Sequence, residues 1–347
     1  MAVWPNGSYL INGMEHFEKY FLSCDWGTSS FRLRLVAVLA KHQETAGLPR
    51  FCVLAEVEND QGNARVYEAW QQSGRPREAW YALVLEEALR QLKSKSETQP
   101  EALPLVISGM ASSTIGMKEL PYKPLPFRLD GSDLLIQQLE RKTAFANPVY
   151  LISGVAGPAD VMRGEEVQVV GSCAAQPLSE GLIIHPGTHA KHILVKDGLA
   201  VSFKTFMTGE LFALLSQKSI LAASVAAPEQ RGLVSNSFFE KGLRDGFDGS
   251  LLHQLFMVRT ADLFRQRSKE ENYLYLSGLL IGSELTAFPK DFQCPVLVAG
   301  APGLTAQYVH ALRFLQLGGE QIIEQDADDI TVLGQYLALH HFLNQKQ

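Results

Sequence analysis

The 347-residue sequence is poor in cysteine and has no long apolar run. Its four cysteines, Cys24, Cys52, Cys173 and Cys294, are scattered, with neither a CxxC pair nor a short metal-ligand spacing. Cys24 and Cys294 sit in or beside apolar runs and read as buried free thiols, which suits a reducing compartment. No stretch of about 18 apolar residues exists, so no membrane-spanning helix is expected. Residues 1–20 lack a basic segment leading into a continuous apolar core; they read as an extension, not a signal peptide, and a cytoplasmic location is expected. Positive charge is also short: 31 Lys and Arg against 37 Asp and Glu leave a net charge of −6. That argues against a nucleic-acid partner and leaves room for an anionic substrate met by a local basic group. The P-loop, HExxH and GxSxG signatures are all missing.

What is present is ordinary in bulk and specific in detail. Apolar residues make up 46% and charged residues 20%, and the length suffices for two domains with separate cores. Phe21–Val38 reads as a hairpin: an apolar strand ending at Asp25, a Gly-Thr-Ser-Ser turn, then Phe31, Leu33 and Leu35 alternating with Arg32 and Arg34. Gly27 lets the backbone turn, and Thr28 and Ser29 line a concave loop suited to anions. Asp25, at the end of a buried strand, needs a cation, and magnesium would serve. The layout recurs in Leu182–Val195, where Gly187-Thr188 follows Gly27-Thr28 by 160 residues, close to half the chain. Two such hairpins imply a duplicated fold, one loop on each side of a nucleotide's phosphates in a cleft between the halves.

Other elements follow in order. Pro76–Lys95 has helical apolar spacing, and Leu105-Val106-Ile107 is a buried strand leading into the irregular, proline-rich stretch 108–126. A helix is expected at Asp133–Lys142 and a strand at Val149–Ile152. Asp160, Glu165 and Glu166 then surround Arg163 at the end of one element and the start of a helix near Glu165. The strand Ala200–Phe206 leads to a helix that Thr208 would cap, with Glu210 in its first turn. Leu251–Arg267 reads as an amphipathic helix with Phe256 and Phe264, and Tyr273–Phe288 as a core helix that Gly278 and Gly282 let pack closely. Pro295–Ala299 is a strand running into GAPG and a helix from about Thr305; strand, glycine turn and helix start form a nucleotide seat at Gly300 and Gly303. Thr331–Leu343 is the last helix.

Taken together, DWGT at 25–28, GMASSTIG at 109–116, PYKPLP at 121–126, VMRGEE at 161–166, PGTHAK at 186–191, TGEL at 208–211, SGLLIGSE at 277–284 and LVAGAPGLTAQY at 297–308 resemble the 2-dehydro-3-deoxygalactonokinases. The resemblance implies an α/β fold of two ribonuclease-H-like domains, as in actin-like ATPases, with ATP and Mg2+ between them. It implies phosphoryl transfer to the 6-hydroxyl of 2-dehydro-3-deoxy-D-galactonate in galactonate catabolism. On this resemblance Gly27, Thr28 and Ser29, and Gly187, Thr188 and His189, form the phosphate loops, and Gly300 to Gly303 the adenosine motif. The second loop departs from the superfamily: His185 stands where an acid is usual, so metal binding falls on Asp25.

A carboxylate must orient or deprotonate the attacking hydroxyl. Asp160 is the first candidate and Glu165 the second, with Glu166 pairing Arg163, which faces the substrate carboxylate; Ser112 and Ser113 are further substrate candidates. The expected domains are 21–175 and 176–347, the last helix packing back on the first. Another 2-keto-3-deoxy sugar acid, or a non-kinase actin-like ATPase, stays open as an alternative. A small sugar acid is the expected partner, without nucleic acid or membrane, and a homo-oligomer is compatible with the sequence.

Overall fold

The computed structural model describes residues 17–39, 48–140, 146–228, 236–289 and 291–345. The expected extension at 1–20 and turn at 40–49 lie largely outside these residues. Apolar runs alternating with polar residues form β1 (Phe17–Trp26), β2 (Phe31–Leu39) and β3 (Phe51–Asn59). Helices α1 (Asn63–Gln71) and α2 (Arg77–Lys95) precede β4 (Leu105–Gly109) and a 3-10 turn at Met110–Ser112. Short strands follow: β5 (Lys123–Pro124), β6 (Phe127–Arg128), β7 (Ile136–Gln138), β8 (Val149–Ile152), β9 (Val155–Ala156) and β10 (Val161–Met162). Next come α3 (Glu165–Ala175), β11 (Gly181–His185), β12 (Ala190–Lys196), β13 (Leu199–Phe206) and α4 (Thr208–Lys218). The chain closes with α5 (Ser237–Asp248), α6 (Leu251–Leu263), α7 (Lys269–Leu285), β14 (Val296–Gly300), α8 (Pro302–Phe314), β15 (Ile322–Asp326) and α9 (Ala327–Asn344).

The chain divides into two compact units, Met1–Leu120 with Ile136–Ser153, and Pro121–Leu135 with Gly154–Gln347. The first holds a sheet of order β3-β2-β1-β4-β8-β7, the second one of order β15-β14-β11-β12-β13-β6. In each, an antiparallel three-strand meander receives parallel strands on the free side of its first strand: β4 and β8 beyond β1, β14 and β15 beyond β11. Parallel neighbours need long crossovers, and these supply the helices. The repeated plan, an antiparallel meander extended by parallel strands, is ribonuclease-H-like.

The first unit's core joins the β1–β2 hairpin to α2: Leu22, Trp26, Phe31, Leu33, Tyr81, Leu85, Ile107 and Leu151 are all buried. Burying each such side chain contributes about 1.5–3 kcal/mol. In the second unit α5 and α7 meet backbone to backbone. A Cβ at Gly278 or Gly282 would lie 2.1 Å from the carbonyl oxygen of Phe239 or Leu243, so the close packing expected of these glycines is present.

Several elements differ from expectation. The division does not fall after residue 175: residues 121–135 and 154–175 go with the later half. There β6 pairs with β13, and α3 packs on α9 so tightly that a Cβ at Gly171 or Gly334 would lie 1.9 Å from a carbonyl oxygen of the opposite helix. The described part of Asp133–Lys142 is not helical. Its Leu- and Gln-rich sequence favours a helix, but residues 136–138 pair antiparallel with β8, closing the sheet edge that β8 would otherwise expose. Helix α6 ends at Leu263, where Arg265 turns left-handed (φ 55°), and Phe256 and Phe264 are 54% and 70% exposed. No helix among the described residues is long and apolar enough to cross a membrane.

Candidate active site

In the first unit, β1 carries Asp25 to the carboxyl end of its strand, and the tip Gly27-Thr28-Ser29 follows, with both hydroxyl residues exposed. The carboxyl ends of parallel strands are where open α/β sheets bind ligands. Neighbouring β4 ends beside Asp25, in register Asp25↔Ser108 and Trp26↔Gly109. Gly109 has φ 89°, and a Cβ there would meet the Trp26 carbonyl oxygen at 2.7 Å and Asp25 Oδ1 at 3.4 Å. Only glycine permits this close approach of β4 to the end of β1. Arg32, opposite Asp25 on β2, reaches Glu58 at 2.9 Å.

The tip is held from behind by the start of α1. Asn63 N donates to Gly27 O at 2.9 Å and Ala64 N to Thr28 O at 3.0 Å. The Asn63 side-chain amide donates to Trp26 O at 2.8 Å and to Gly27 O at 3.1 Å. Gly62 lies so close that a Cβ would fall 2.3 Å from Thr28 O. Ser112 and Ser113 are buried just after β4. Their hydroxyls turn back to Gly109 O at 3.4 Å and Met110 O at 2.7 Å.

The second tip is held in the same way. Glu210 N, in the first turn of α4, donates to Thr188 O at 3.0 Å. A Cβ at Gly209 would lie 2.4 Å from Gly187 O, and His189 Nε2 meets Glu210 Oε2 at 2.6 Å. Each Gly-Thr tip thus rests on a glycine and on backbone N–H at a helix start, two at the first tip and one at the second, a correspondence that Gly62-Asn63 and Gly209-Glu210 do not advertise as a motif. Thr208 does not cap α4. Met207 occupies that position, and the Thr208 hydroxyl donates to Glu284 Oε2.

The acids around Arg163 separate by environment. Asp160 is half-buried: Oδ2 accepts from Thr205 N at 2.7 Å, and Oδ1 accepts from Thr205 Oγ1 at 2.7 Å and Val161 N at 2.8 Å. Its carboxylate ties the 157–160 turn to β13. Glu165 opens α3 after Gly164, which has φ 110°. Glu165 Oε2 accepts from Arg163 N at 2.9 Å, and its Oε1 lies 2.7 Å from Lys191 Nζ. Lys191 is buried and also donates to His189 O at 3.0 Å, linking Glu165 to the tip. The Arg163 guanidinium lies over the Tyr122 ring at 4.2 Å.

Glu166 is fully buried, and its Oε2 accepts from Gly164 N at 2.7 Å. Burial, then the neighbouring Glu165 charge, pushes its carboxyl up to about 8, while bonds from the backbone and the Arg163 charge pull the other way. His185 is buried opposite Lys191, and neither ring nitrogen meets a hydrogen-bond partner among the described residues. Burial, then the Lys191 charge, pushes it down to about 3. The imidazole is neutral, so the end of β11 carries no charge at this position.

The two buried groups impose opposite pH dependences. The raised Glu166 pKa contributes stability that is complete below its ordinary 4.5 and is lost as pH rises through about 8. The depressed His185 pKa contributes stability that is complete above its ordinary 6.5 and is lost as pH falls toward about 3. Between pH 6.5 and 8 only the Glu166 slope acts, so thermal stability is expected to fall there and to flatten in Glu166→Gln. Melting curves across that window check this; equal slopes in the two proteins would mean that native Glu166 is already ionised.

Gly300 ends β14 beside Pro186, whose Cδ would lie 3.4 Å from an added Cβ, while nothing lies within 4 Å of one at Gly303. Proline at N1 starts α8 at residue 302, earlier than expected. Thr305 donates to Glu324 Oε1 at 2.7 Å, fixing that start against β15. Among the described residues no three His, Cys, Asp or Glu side chains group as a metal cage. Magnesium needs only one or two protein carboxylates beside substrate phosphates. Asp25, near the carboxyl end of β1 and beside the exposed Thr28-Ser29 tip, supplies one such carboxylate.

Comparison with known proteins agrees with this architecture. The 2-dehydro-3-deoxygalactonokinase of Escherichia coli (strain K12) is 28% identical over 309 residues, 84% of this chain and 89% of the relative. The crystal structure of a candidate 2-dehydro-3-deoxygalactonokinase from Sinorhizobium meliloti superposes with a TM-score of 0.74 at 27% identity, covering 92% of this chain and 96% of the other. Residues 25–336, from the first hairpin into α9, match the family described as 2-keto-3-deoxy-galactonokinase, and the chain belongs to that family.

Proposed function

We propose that this protein is a sugar-acid kinase that transfers the γ-phosphoryl group of ATP to the 6-hydroxyl of 2-dehydro-3-deoxy-D-galactonate. The observation that carries the reading is the pair of Gly-Thr tips, each supported from behind by a glycine and at least one amide at a helix start. Support from behind leaves the loops pre-organised for anions at no cost when phosphate arrives. Thr28 and Ser29 at the first tip, and Thr188 and His189 at the second, are the phosphate-binding residues. Gly300 and Gly303 admit the adenosine, and Asp25 would hold magnesium, which when bound neutralises charge on the β- and γ-phosphates.

Glu165 takes the proton of the 6-hydroxyl as its oxygen bonds to the γ-phosphorus. The bond from that phosphorus to the bridging oxygen breaks, and ADP leaves with the electron pair. Glu165 is preferred to Asp160 because Lys191 ties it to the second phosphate tip, whereas Thr205 ties Asp160 to β13. Arg163, held over the Tyr122 ring, meets the substrate carboxylate.

The test is a coupled ADP-release assay with Mg2+ over a panel of 2-keto-3-deoxy aldonates. The expected result is turnover highest with the galactonate-derived acid. Turnover highest with the gluconate-derived epimer would reassign the substrate. No ADP above background on any member would remove the kinase reading.

A further inference from the structure

The SGLLIGSE segment ends in a charge that the phosphoryl-transfer scheme leaves unused. Glu284 sits on α7 among buried Leu280, Ile281 and Leu285, and is itself 4% exposed. A lone carboxylate there would cost several kcal/mol. It persists because three donors from three other elements converge on it. His192 Nε2, on β12, meets Oε1 at 2.8 Å; Tyr308 OH, on α8, donates to Oε2 at 2.6 Å; and Thr208 Oγ1, at the first position of α4, donates to the same oxygen.

Each donor belongs to an element that carries part of the candidate nucleotide site. Thr208 precedes Gly209 and Glu210, the two residues that bear on the Gly187-Thr188-His189 tip. His192 lies three residues beyond that tip on the same strand. Tyr308 follows the Gly300–Gly303 turn on the helix that the turn begins. Helix α4 has no fully buried residue among Thr208–Lys218, and its apolar packing, through Phe212 and Leu215, lies beyond the first turn. The hydrogen bond from Thr208 to a fixed, buried carboxylate sets where its first turn lies.

We propose that Glu284 is a positioning residue for nucleotide binding: through Thr208 it fixes the start of α4, and through α4 it fixes the second phosphate tip. This inference rests on the reading of Gly187–His189 as a phosphate loop. A core hub that only stabilises the fold would predict something different, and the two separate by measurement.

Thr208→Val keeps the side chain's shape and removes only the donor; Thr208→Ser keeps the donor. Hydrogen bonds to a charged group are the strong class, so loss of this one is expected to raise the KM for ATP about tenfold. The KM for the sugar acid should stay within about twofold, and Thr208→Ser should restore the ATP value. Titration calorimetry with MgADP on the full chain reads the same effect without turnover. Tyr308→Phe removes the α8 donor, which does not lead to the tip, and should lower the melting temperature with a smaller change in ATP KM. If Thr208→Val lowers the melting temperature but leaves MgADP affinity and ATP KM at wild-type values, Glu284 is a stability hub and the inference is wrong. Thr188→Ala is the separate control. Unchanged MgADP affinity in that variant would overturn the phosphate-loop reading and the inference with it, whereas weakened affinity there beside normal affinity in Thr208→Val would overturn the inference alone.

Discussion

Asp25→Asn is expected to abolish phosphoryl transfer, by about 10²–10³-fold or more, in a protein that still folds. The carboxylate lies at the carboxyl end of β1, beside the exposed Thr28-Ser29 tip. Its counterpart in the second hairpin is a buried, neutral His185, so no second acid at the matching position can share the metal. Asparagine conserves size and hydrogen-bonding capacity, and the strand pairing around residue 25 is made by backbone groups. The melting temperature should therefore change little, while the Mg2+ concentration needed for half-maximal activity rises steeply. Activity within a few-fold of wild type at ordinary Mg2+ would mean that the metal is held elsewhere.

The second large effect is expected at Glu165. A positioned general base contributes about 10²–10⁴-fold, so Glu165→Gln should lower kcat within that range with the KM for ATP nearly unchanged. Asp160→Asn should behave differently. Its oxygens accept from the backbone N and the hydroxyl of Thr205, and an amide nitrogen replacing one of them confronts a donor with a donor. That variant should lose thermal stability first and activity second. The comparison decides between the two carboxylates: kcat collapse in Asp160→Asn with full activity in Glu165→Gln would restore Asp160 as the base.

Much of this protein is legible in its sequence because the information is local. Alternation around Gly-Thr turns marks both hairpins, and their recurrence implies a duplicated α/β fold, which the two matching sheet orders bear out. Strand, glycine turn and helix at 295–315 are equally local, as is the close packing at Gly278 and Gly282. What only the tertiary structure decided depends on partners distant in the chain. Residues 136–138 are a strand because β8 offers an unpaired edge, against their own helical preference. Its neighbours in sequence make Asp160 the first candidate base; only the fold shows Thr205, 45 residues on, donating to both its oxygens. Lys191 and Glu165 meet across 26 positions, and Thr208 is diverted from capping by Glu284, 76 residues away. A carboxylate's role is set by which donors reach it and how much water remains around it. Neither is a property of the residues beside it in the chain, so the sequence determined the carriers of the chemistry and folding assigned their tasks.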